Sequence, residues 1–264
     1  MKRWLAALIA IVVSVAPAGA QDGSPPPRVV IASDSTAAVY PPDQFPQMGW
    51  GMFLGCSLAP GVAVVNLARG GRSTKTFAEE GLWGRLLAQL RPGDTVLIQF
   101  GHNDEDTTKM FRHTEPAAFG ANLTRFVSDV RARGGVPVLM TPVARHEFKH
   151  GRIEKTHGAY ARMVVAVAQA THASLIDFDA RSRRFFNGLG EEPSARYFLI
   201  YSPADRIARF PDGHHDTTHL NELGARATAA IVGQALAQLK LPIARGARPI
   251  APAAVRASGD AACH

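Results

Sequence analysis

The chain has 264 residues, of which 46% are hydrophobic, and its formal net charge is +7. That length is enough for one sizeable hydrophobic core, and α/β folds of this size often form a single domain. The arginines are scattered and no basic strip is interleaved with aromatic residues, so nucleic-acid binding is disfavoured, whereas a modestly basic surface would suit a polyanion such as a uronic-acid polymer.

The first twenty residues have the pattern of a secretory signal. Two basic residues precede an apolar run over 4–16, and the small residues Ala-Gly-Ala end at Ala20. This run is too short to span a bilayer comfortably. We therefore expect cleavage after Ala20, a periplasmic or secreted protein, and a Pro-rich linker over 21–27. A retained membrane anchor is the alternative, although no second apolar segment of spanning length follows.

Short apolar runs alternate with amphipathic segments along the rest of the chain. The runs that predict strands cover residues 28–32, 62–66, 95–100, 136–140 and 174–178. The segments that predict helices cover residues 49–58, 82–90, 117–133, 157–171, 179–189 and 221–239. This alternation is typical of βαβ units, so we expect a parallel sheet of about five strands in a three-layer α/β/α fold.

The pattern is weaker toward the carboxyl terminus. We expect a single domain over 28–242, with an irregular region over 190–220. Residues 243–264 are rich in Ala, Pro and Arg without periodicity, which predicts a disordered tail unless Cys263 anchors it. The only other cysteine is Cys56, and export would permit a disulfide between the two. A buried Cys56 with a free Cys263 is an equally good interpretation.

Four polar clusters follow predicted strands or precede the last helix. They are Asp34-Ser35, Gly70-Gly71, Gly101-His102-Asn103-Asp104 and Asp216-Thr217-Thr218-His219. Each cluster alone would fit an ordinary turn or hinge, because Gly, Ser, Asn and Asp are common in turns. In open α/β sheets, however, the carboxyl ends of the strands line the ligand crevice, so the four clusters together indicate a site.

In this order the clusters resemble the SGNH (GDSL-like) hydrolase superfamily, whose four blocks contribute a Ser, a Gly, an Asn and an Asp-x-x-His. Further segments resemble its rhamnogalacturonan acetylesterase branch. They are Asp-Ser-Thr-Ala, Gly-Gly-Arg-Ser-Thr-Lys-Thr-Phe, Phe-Gly-His-Asn-Asp, Thr-Pro-Val-Ala-Arg and Thr-His-Gly-Ala-Tyr. The resemblance covers residues 28–239 and implies a flavodoxin-like fold. It also implies a serine esterase that acts on an acetylated pectin-type polysaccharide.

Ester cleavage by a serine needs a base and a group that orients the base. A serine hydroxyl is a poor nucleophile at neutral pH until a base takes its proton, so Ser35 requires an imidazole, and His219 is the candidate. Asp216, three residues earlier, can hold the correct tautomer of that ring and stabilise it as it becomes charged. Ser33 is a minor rival for the role of nucleophile.

The superfamily pattern assigns an oxyanion hole to the backbone N–H groups of Ser35 and Gly71 and to the side-chain amide of Asn103. Such preorganised donors are worth about 3 kcal/mol each in the transition state. Gly lets a backbone amide approach the substrate, and Asn offers a neutral donor. Gly70 is the alternative to Gly71 by one step of register.

We expect Arg72, Arg145 and His146 to hold uronate carboxylates, with Arg69, Lys75 and Lys149 as further cations on loops of the same edge. Solvated surface charge is an equally good interpretation of all six. Residues 212–219 contain three His and two Asp, yet no matching ligands recur elsewhere at a metal-binding spacing. We therefore expect neither a metal nor a cofactor.

The predicted function is a secreted, monomeric serine esterase that deacetylates a pectin-type polysaccharide through an acetyl-serine intermediate, without nucleic-acid or membrane partners. One alternative is an SGNH esterase or lipase that acts on another acyl ester, which for a long acyl chain would need an apolar groove. Another is a non-catalytic carbohydrate-binding protein on the same scaffold, although Ser35, Asp216 and His219 argue against it.

Overall fold

The computed structural model describes residues 27–263. Its strands are β1 (Arg28–Ser33), β2 (Ala63–Asn66), β3 (Thr95–Gln99), β4 (Val136–Met140), β5 (Phe148–Lys149), β6 (Arg152–Ile153), β7 (Ser174–Ile176), β8 (Phe198–Tyr201) and β9 (His214–Leu220). The predicted signal sequence and its cleavage site lie outside the described residues, so export stays a prediction.

In the part of the chain that the structure describes, seven α-helices accompany these strands. They are α1 (Thr74–Glu79), α2 (Leu82–Gln89), α3 (Pro116–Ala132), α4 (Gly158–Thr171), α5 (Phe178–Leu189), α6 (Glu191–Ala195) and α7 (Glu222–Gln238). None of the helices within residues 27–263 is both long and apolar enough to cross a membrane.

Five parallel strands form the central sheet in the order β2-β1-β3-β4-β7. Val30 on β1 pairs with Val65 on one side and Val96 on the other, so β1 is an interior strand. From β1 the chain moves first to β2 at one edge and then to β3 on the opposite side. The crevice at the carboxyl ends of β1 and β3 is therefore the topological switch point, where ligands bind in folds of this type.

Alternation along the strands sends side chains to two separate cores. On one face, Ile31, Leu97 and Val138 belong to a cluster with residues of α5 and α7. On the other face, Val30 and Val96 belong to a cluster with residues of α1 to α4. Helices cover both faces of a parallel sheet, which confirms the predicted three-layer α/β/α class.

The last helix, α7, is almost wholly buried because its small residues permit close packing. A Cβ at Gly224 would lie 1.9 Å from the Tyr197 carbonyl oxygen, so only glycine fits there. The Asn221 side chain caps the helix by accepting from the Gly224 N–H at 3.1 Å. This packing fixes the segment that enters α7, which is also the end of β9.

Two regions differ from the sequence-based expectation. Residues 49–58, predicted as one helix, form two 3-10 turns, Trp50–Met52 and Leu54–Ser57. Glycines interrupt this segment and weaken an α-helix, and a Cβ at Gly51 would lie 2.4 Å from the Asn66 amide nitrogen. Residues 190–220, predicted to be irregular, contain α6 and the antiparallel pair of β8 and β9.

A disulfide joins Cys56 to Cys263 and holds the carboxyl-terminal tail against the domain. The Arg226 guanidinium donates to Ser258 Oγ at 2.7 Å, and the Ser258 N–H donates to a carboxylate oxygen of Glu222 at 2.6 Å. The tail is therefore packed on α7 and is not disordered. The disulfide of Cys263 is the anchor that the sequence analysis gave as the alternative to disorder.

Candidate active site

Ser35 lies in a tight turn directly after β1. Asp34 is fully buried, and its Oδ1 accepts from the Thr36 N–H at 2.9 Å and from the Thr36 hydroxyl at 2.8 Å. The Tyr40 hydroxyl donates to the Ser35 carbonyl oxygen at 2.8 Å. These bonds fix the backbone on both sides of the serine, so its hydroxyl is presented from a rigid base.

The structure brings Ser35, His219 and Asp216 together as a hydrogen-bonded triad. His219 Nε2 lies 2.9 Å from Ser35 Oγ, and His219 Nδ1 lies 2.7 Å from Asp216 Oδ2. Because a carboxylate can only accept, Nδ1 carries the proton, which leaves Nε2 of the neutral ring free to accept from the serine. This is the tautomer that a general base at Ser35 requires.

The Asp216 carboxylate stays ionised beside the imidazole. Burial raises the pKa of Asp216, but the hydrogen bond and charge of His219 and the backbone N–H groups of His219 and Thr218 outweigh burial. The resulting pKa lies well below the usual range for Asp. Asp216 Oδ1 accepts from the Thr218 and His219 N–H groups at 2.8 and 2.9 Å, so the same carboxyl group folds the turn that carries the base.

An irregularity in the β8–β9 pairing projects His219 from its strand. Leu199 pairs with Asp216, whereas its neighbour Phe198 pairs with Leu220. One step along β8 therefore corresponds to four along β9, and the three residues between Asp216 and Leu220 are left out of the ladder. Such bulges bend a strand and redirect its side chains.

The three predicted oxyanion donors lie beside Ser35. Gly71 and Asn103 line the same pocket as Ser35, and Gly71 has a φ of 77°, a left-handed conformation that favours glycine. Within residues 27–263, the backbone N–H groups of Ser35 and Gly71 have no protein acceptor. Two free donors next to the nucleophile can stabilise an oxyanion. Gly70, the alternative, does not line the pocket.

The loop between β3 and α3 is held by three consecutive carboxylates. Asp104 accepts from the Thr74 N–H at 2.9 Å and the Thr74 hydroxyl at 2.5 Å, which joins the Asn103 loop to the start of α1. Glu105 pairs with Arg145 at 2.5 Å. Asp106 forms a salt bridge with Arg112 inside the loop. Two of these contacts join the loop to other segments and the third closes the loop on itself, so the wall of the pocket is held in place.

A buried histidine behind this wall has contacts that the sequence did not predict. His157 is buried, its Nδ1 lies 3.0 Å from Glu105 Oε1, and its Nε2 lies 2.8 Å from the Val143 carbonyl oxygen. Burial raises the pKa of Glu105, but His157 and Arg145 outweigh burial and keep it lowered. His157 thus joins the loop that carries Glu105 to the Val143 carbonyl oxygen. The segment Thr-His-Gly-Ala-Tyr was the available signal.

The pocket around the triad has a volume of about 680 Å³ and a polar lining. Every lining residue is glycine or carries a hydroxyl, amide, carboxylate, imidazole or cationic group. The remaining members, besides those already placed there, are His102, Thr107, Lys109 and Thr218. Sequence patterns gave no signal for Lys109 or Arg112, because they lie in a loop without periodicity.

The three residues predicted to bind the substrate, Arg145, Arg72 and His146, differ in their position relative to the pocket. Arg145 lines the pocket, but it is paired with Glu105. Arg72 does not line the pocket, and its guanidinium is bound by Glu80 and by a backbone carbonyl.

His146 does not line the pocket that contains Ser35. Its side chain is buried and lines a different groove, and its Nε2 lies 3.0 Å from Ser194 Oγ.

Two alternatives lose support from the geometry. Ser33 is completely buried within β1 and does not line the pocket, so it is not the nucleophile. Among residues 27–263, no group of three or more His, Cys, Asp or Glu side chains could hold a metal ion.

A Ser-His-Asp triad at the carboxyl edge of a parallel sheet defines a serine hydrolase on a three-layer α/β/α scaffold. The sequence pattern of the GDSL-like lipase/acylhydrolase family matches residues 34–227. The chain therefore belongs to this family, which confirms the resemblance inferred from the motifs, and it is a carboxylic ester hydrolase.

Two relatives from Bacillus subtilis are similar over most of their length. The chain is 38% identical to rhamnogalacturonan acetylesterase RhgT over 83% of this chain and 93% of the relative. It is 35% identical to the probable rhamnogalacturonan acetylesterase YesY over 82% of this chain and 95% of the relative.

Solved structures show the same fold. The Bacillus subtilis protein YxiM superposes with a TM-score of 0.67 at 26% identity, over 79% of this chain and 55% of that chain. An acetylxylan esterase from Geobacillus stearothermophilus superposes with a TM-score of 0.55 at 19% identity, over 81% of this chain and 93% of that chain. The second likeness shows the shared fold alone.

Proposed function

We propose that this chain is an exported esterase that removes acetyl groups from a pectin-type polysaccharide through an acetyl-serine intermediate. The observation that carries the proposal is the contact of Ser35 Oγ with His219 Nε2 at 2.9 Å, on a ring whose other nitrogen is held by Asp216. The two curated relatives described above carry the name rhamnogalacturonan acetylesterase, which supports the choice of substrate.

The first half of the reaction transfers the acetyl group to the enzyme. His219 Nε2 takes the proton of the Ser35 hydroxyl as its oxygen attacks the ester carbonyl carbon. The negative charge that develops on the carbonyl oxygen faces the N–H groups of Ser35 and Gly71 and the amide of Asn103. His219 then gives its proton to the sugar oxygen, the ester C–O bond breaks, and an acetyl-serine remains.

The second half repeats these steps with water. His219 takes a proton from a water molecule, the resulting hydroxide attacks the acetyl-serine, and acetate leaves as Ser35 regains its proton. Asp216 stabilises the imidazolium at each stage without becoming protonated, which agrees with its lowered pKa.

The lining of the pocket favours an acetyl group over a long acyl chain. Binding a long chain would bury apolar methylene groups, each of which gains about 0.8 kcal/mol only in an apolar environment. No aliphatic or carbocyclic aromatic side chain is among the lining residues, whereas polar side chains can bind sugar hydroxyl groups. This observation supports an acetylesterase over the alternative of a lipase.

The test is ester cleavage by the wild-type protein and by the Ser35→Ala, His219→Ala and doubly substituted variants. We measure acetate release from acetylated pectin and p-nitrophenol release from acetate and octanoate esters. We expect acetate esters to be preferred and each single variant to lose a factor of at least about 10³, with no further loss in the double variant. An unaffected Ser35→Ala variant would falsify the proposal. If the wild-type protein cleaves none of these esters, the alternative of a non-catalytic carbohydrate-binding protein is favoured.

The intermediate itself is tested by rapid mixing. An initial burst of p-nitrophenol, together with a protein mass increased by one acetyl group in acid-quenched samples, is expected when deacylation is slower than acylation. Ser35→Ala should show neither. A mass increase that persists in Ser35→Ala would assign the acetyl group to another nucleophile.

A further inference from the structure

Lys109 is a pocket-lining cation without a counter-ion. The pocket contains two other permanently charged cations, Arg112 and Arg145, and each is paired with a carboxylate of the same loop, Asp106 and Glu105 respectively. Within residues 27–263, the Lys109 ammonium group has no hydrogen-bond or salt-bridge partner. A positive charge in the catalytic pocket is therefore available to a substrate.

The segment that carries Lys109 is a compact turn rather than a loose loop. The Lys109 N–H donates to the Asp106 carbonyl oxygen at 3.3 Å, and the Lys109 carbonyl oxygen accepts from the Arg112 N–H at 3.0 Å. The Asp106 side chain accepts from the Thr108 N–H at 3.0 Å and pairs with Arg112. The side chains between Asp106 and Arg112 thus project from a fixed base.

Two exposed apolar residues follow Lys109 in the sequence. Met110 and Phe111 directly follow Lys109, and each is 67% exposed. Among the described residues, Val39 is the only other large hydrophobic side chain with such exposure, and it lies four residues after Ser35. Exposed apolar side chains in the segments that carry Ser35 and Lys109 favour a binding surface there, because water contact with them is unfavourable.

We propose that Lys109 and Phe111 form an anionic-sugar subsite that binds a uronate residue flanking the acetylated sugar. Lys109 pairs with the uronate carboxylate, and Phe111 packs against the apolar face of a pyranose ring. A cation and an aromatic ring two residues apart in one turn match the two chemical parts of a uronate, whose carboxylate is charged and whose ring face consists of C–H groups. This inference rests on the proposed esterase function and names the residues that select its substrate.

The test compares two polymers that differ only in charge. One is acetylated polygalacturonate with free carboxylates, the other is the same polymer after methyl esterification, and p-nitrophenyl acetate reports the chemical step alone. For Lys109→Ala we expect kcat/KM on the charged polymer to fall about three- to tenfold, within the range of one charge-assisted contact. Values for the neutral polymer and for p-nitrophenyl acetate should stay unchanged.

Matched variants separate charge from general damage. Lys109→Glu should lower kcat/KM on the charged polymer further than Lys109→Ala, and both effects should shrink in high salt. Lys240→Ala removes an exposed lysine just beyond the carboxyl end of α7 and should leave all three substrates unaffected. Phe111→Ala should lower kcat/KM on both polymers, because the ring face of the sugar is the same in each, and should leave p-nitrophenyl acetate unaffected.

The outcomes also distinguish this inference from the proposed function. If Lys109→Ala lowers kcat/KM equally on charged and neutral polymers, or changes neither, the subsite is overturned while esterase activity stands. If Phe111→Ala has no effect on either polymer, the aromatic half of the subsite is overturned. If the wild-type protein cleaves neither p-nitrophenyl acetate nor any polymer, the proposed function itself fails.

Discussion

The side-chain amide of Asn103 donates a hydrogen bond to the backbone carbonyl oxygen of Arg72 at 3.0 Å. An amide carries two N–H bonds, so this contact uses one and leaves the other available to the pocket that Asn103 lines. The same contact links the Asn103 loop to the segment that carries Gly71. Two of the three predicted oxyanion donors, Gly71 and Asn103, are thereby linked to each other before substrate arrives.

Replacing Asn103 should therefore slow the chemical step more than it weakens binding. For Asn103→Ala we expect kcat to fall about 10²- to 10³-fold with KM little changed, since the lost donor acts on charge that develops in the transition state. Asn103→Asp should be at least as slow, because a carboxylate of the same shape repels the oxyanion. Steady-state kinetics on p-nitrophenyl acetate provide the measurement.

Asn122 provides the matched control for damage to this loop. Its amide donates to Thr74 Oγ1 at 3.1 Å, so Asn122→Ala also removes a hydrogen bond at the start of α1, but Asn122 does not line the pocket. We expect a small change in kcat for this variant. A loss as large as that of Asn103→Ala would mean that loop order, and not an oxyanion donor, accounts for both effects.

Asp216→Asn tests whether the tautomer of His219 matters. The side chain keeps its size, but an amide nitrogen that faces Nδ1 favours a proton on Nε2, which then cannot accept from Ser35. We expect kcat to fall about 10³- to 10⁴-fold at neutral pH, as for other triads that lose this carboxylate. Asp212→Asn, at an exposed position of the same segment, should retain full activity. Equal activity of the two variants would refute the role of Asp216.

The sheet and the triad were accessible from sequence for physical reasons. A strand buried on both faces needs a continuous apolar run, and the five runs give five strands of the central sheet. Asp216 and His219 lie three residues apart in one turn, so their spacing in the sequence is enough to predict their contact. Only the approach of His219 to Ser35 depends on the whole fold.

Other features depend on tertiary contacts that no local pattern reports. Strand β9 is polar (His-His-Asp-Thr-Thr-His-Leu), and it is a strand because it pairs with β8. Arg145, His146 and Lys109 all look like loop cations in the sequence. Their surroundings differ because of residues far along the chain. Arg145 pairs with Glu105, and His146 contacts Ser194. The Lys109 ammonium group has no partner within the described residues.

Asp104 should make the protein less stable as the pH rises. Burial raises the pKa of Asp104 from 3.8 to about 7, against the opposing hydrogen bonds from Thr74. Between pH 4 and 7 the unfolded chain has lost this proton while the folded chain keeps it, so the group stabilises the fold at low pH. This contribution to the free energy of unfolding is lost as pH rises through about 7. Its size is at most roughly a few kcal/mol.

Asp104→Asn removes this titration and retains an oxygen that can accept from Thr74. The difference in melting temperature, variant minus wild type, should therefore increase between pH 4 and 8. Asp43→Asn, at an exposed position, provides the control and should give a flat difference. A flat difference for Asp104→Asn as well would show that Asp104 titrates near its ordinary value in the folded protein.

The disulfide between Cys56 and Cys263 should stabilise the tail without being needed for activity. It closes a segment of 207 residues, for which loop-closure entropy gives an upper limit of about 5 kcal/mol. The bridge joins the tail to the domain, however, so reduction lets the tail leave α7 while the rest of the domain stays folded. The loss of stability on reduction should therefore be smaller than this limit. It is confined to tail contacts such as those of Ser258 with Glu222 and Arg226.

We therefore expect Cys263→Ser to lower the melting temperature by several degrees and to expose the tail to proteases, while kcat/KM on p-nitrophenyl acetate is retained. Neither cysteine lines the catalytic pocket, which is the reason for the unchanged activity. Wild-type protein treated with a reductant should behave like Cys263→Ser, and the variant itself should not respond to the reductant. Loss of activity in parallel with the loss of the disulfide would show instead that the tail supports the catalytic edge through α7, because Asn221 at the start of that helix directly follows the β9 segment that carries His219.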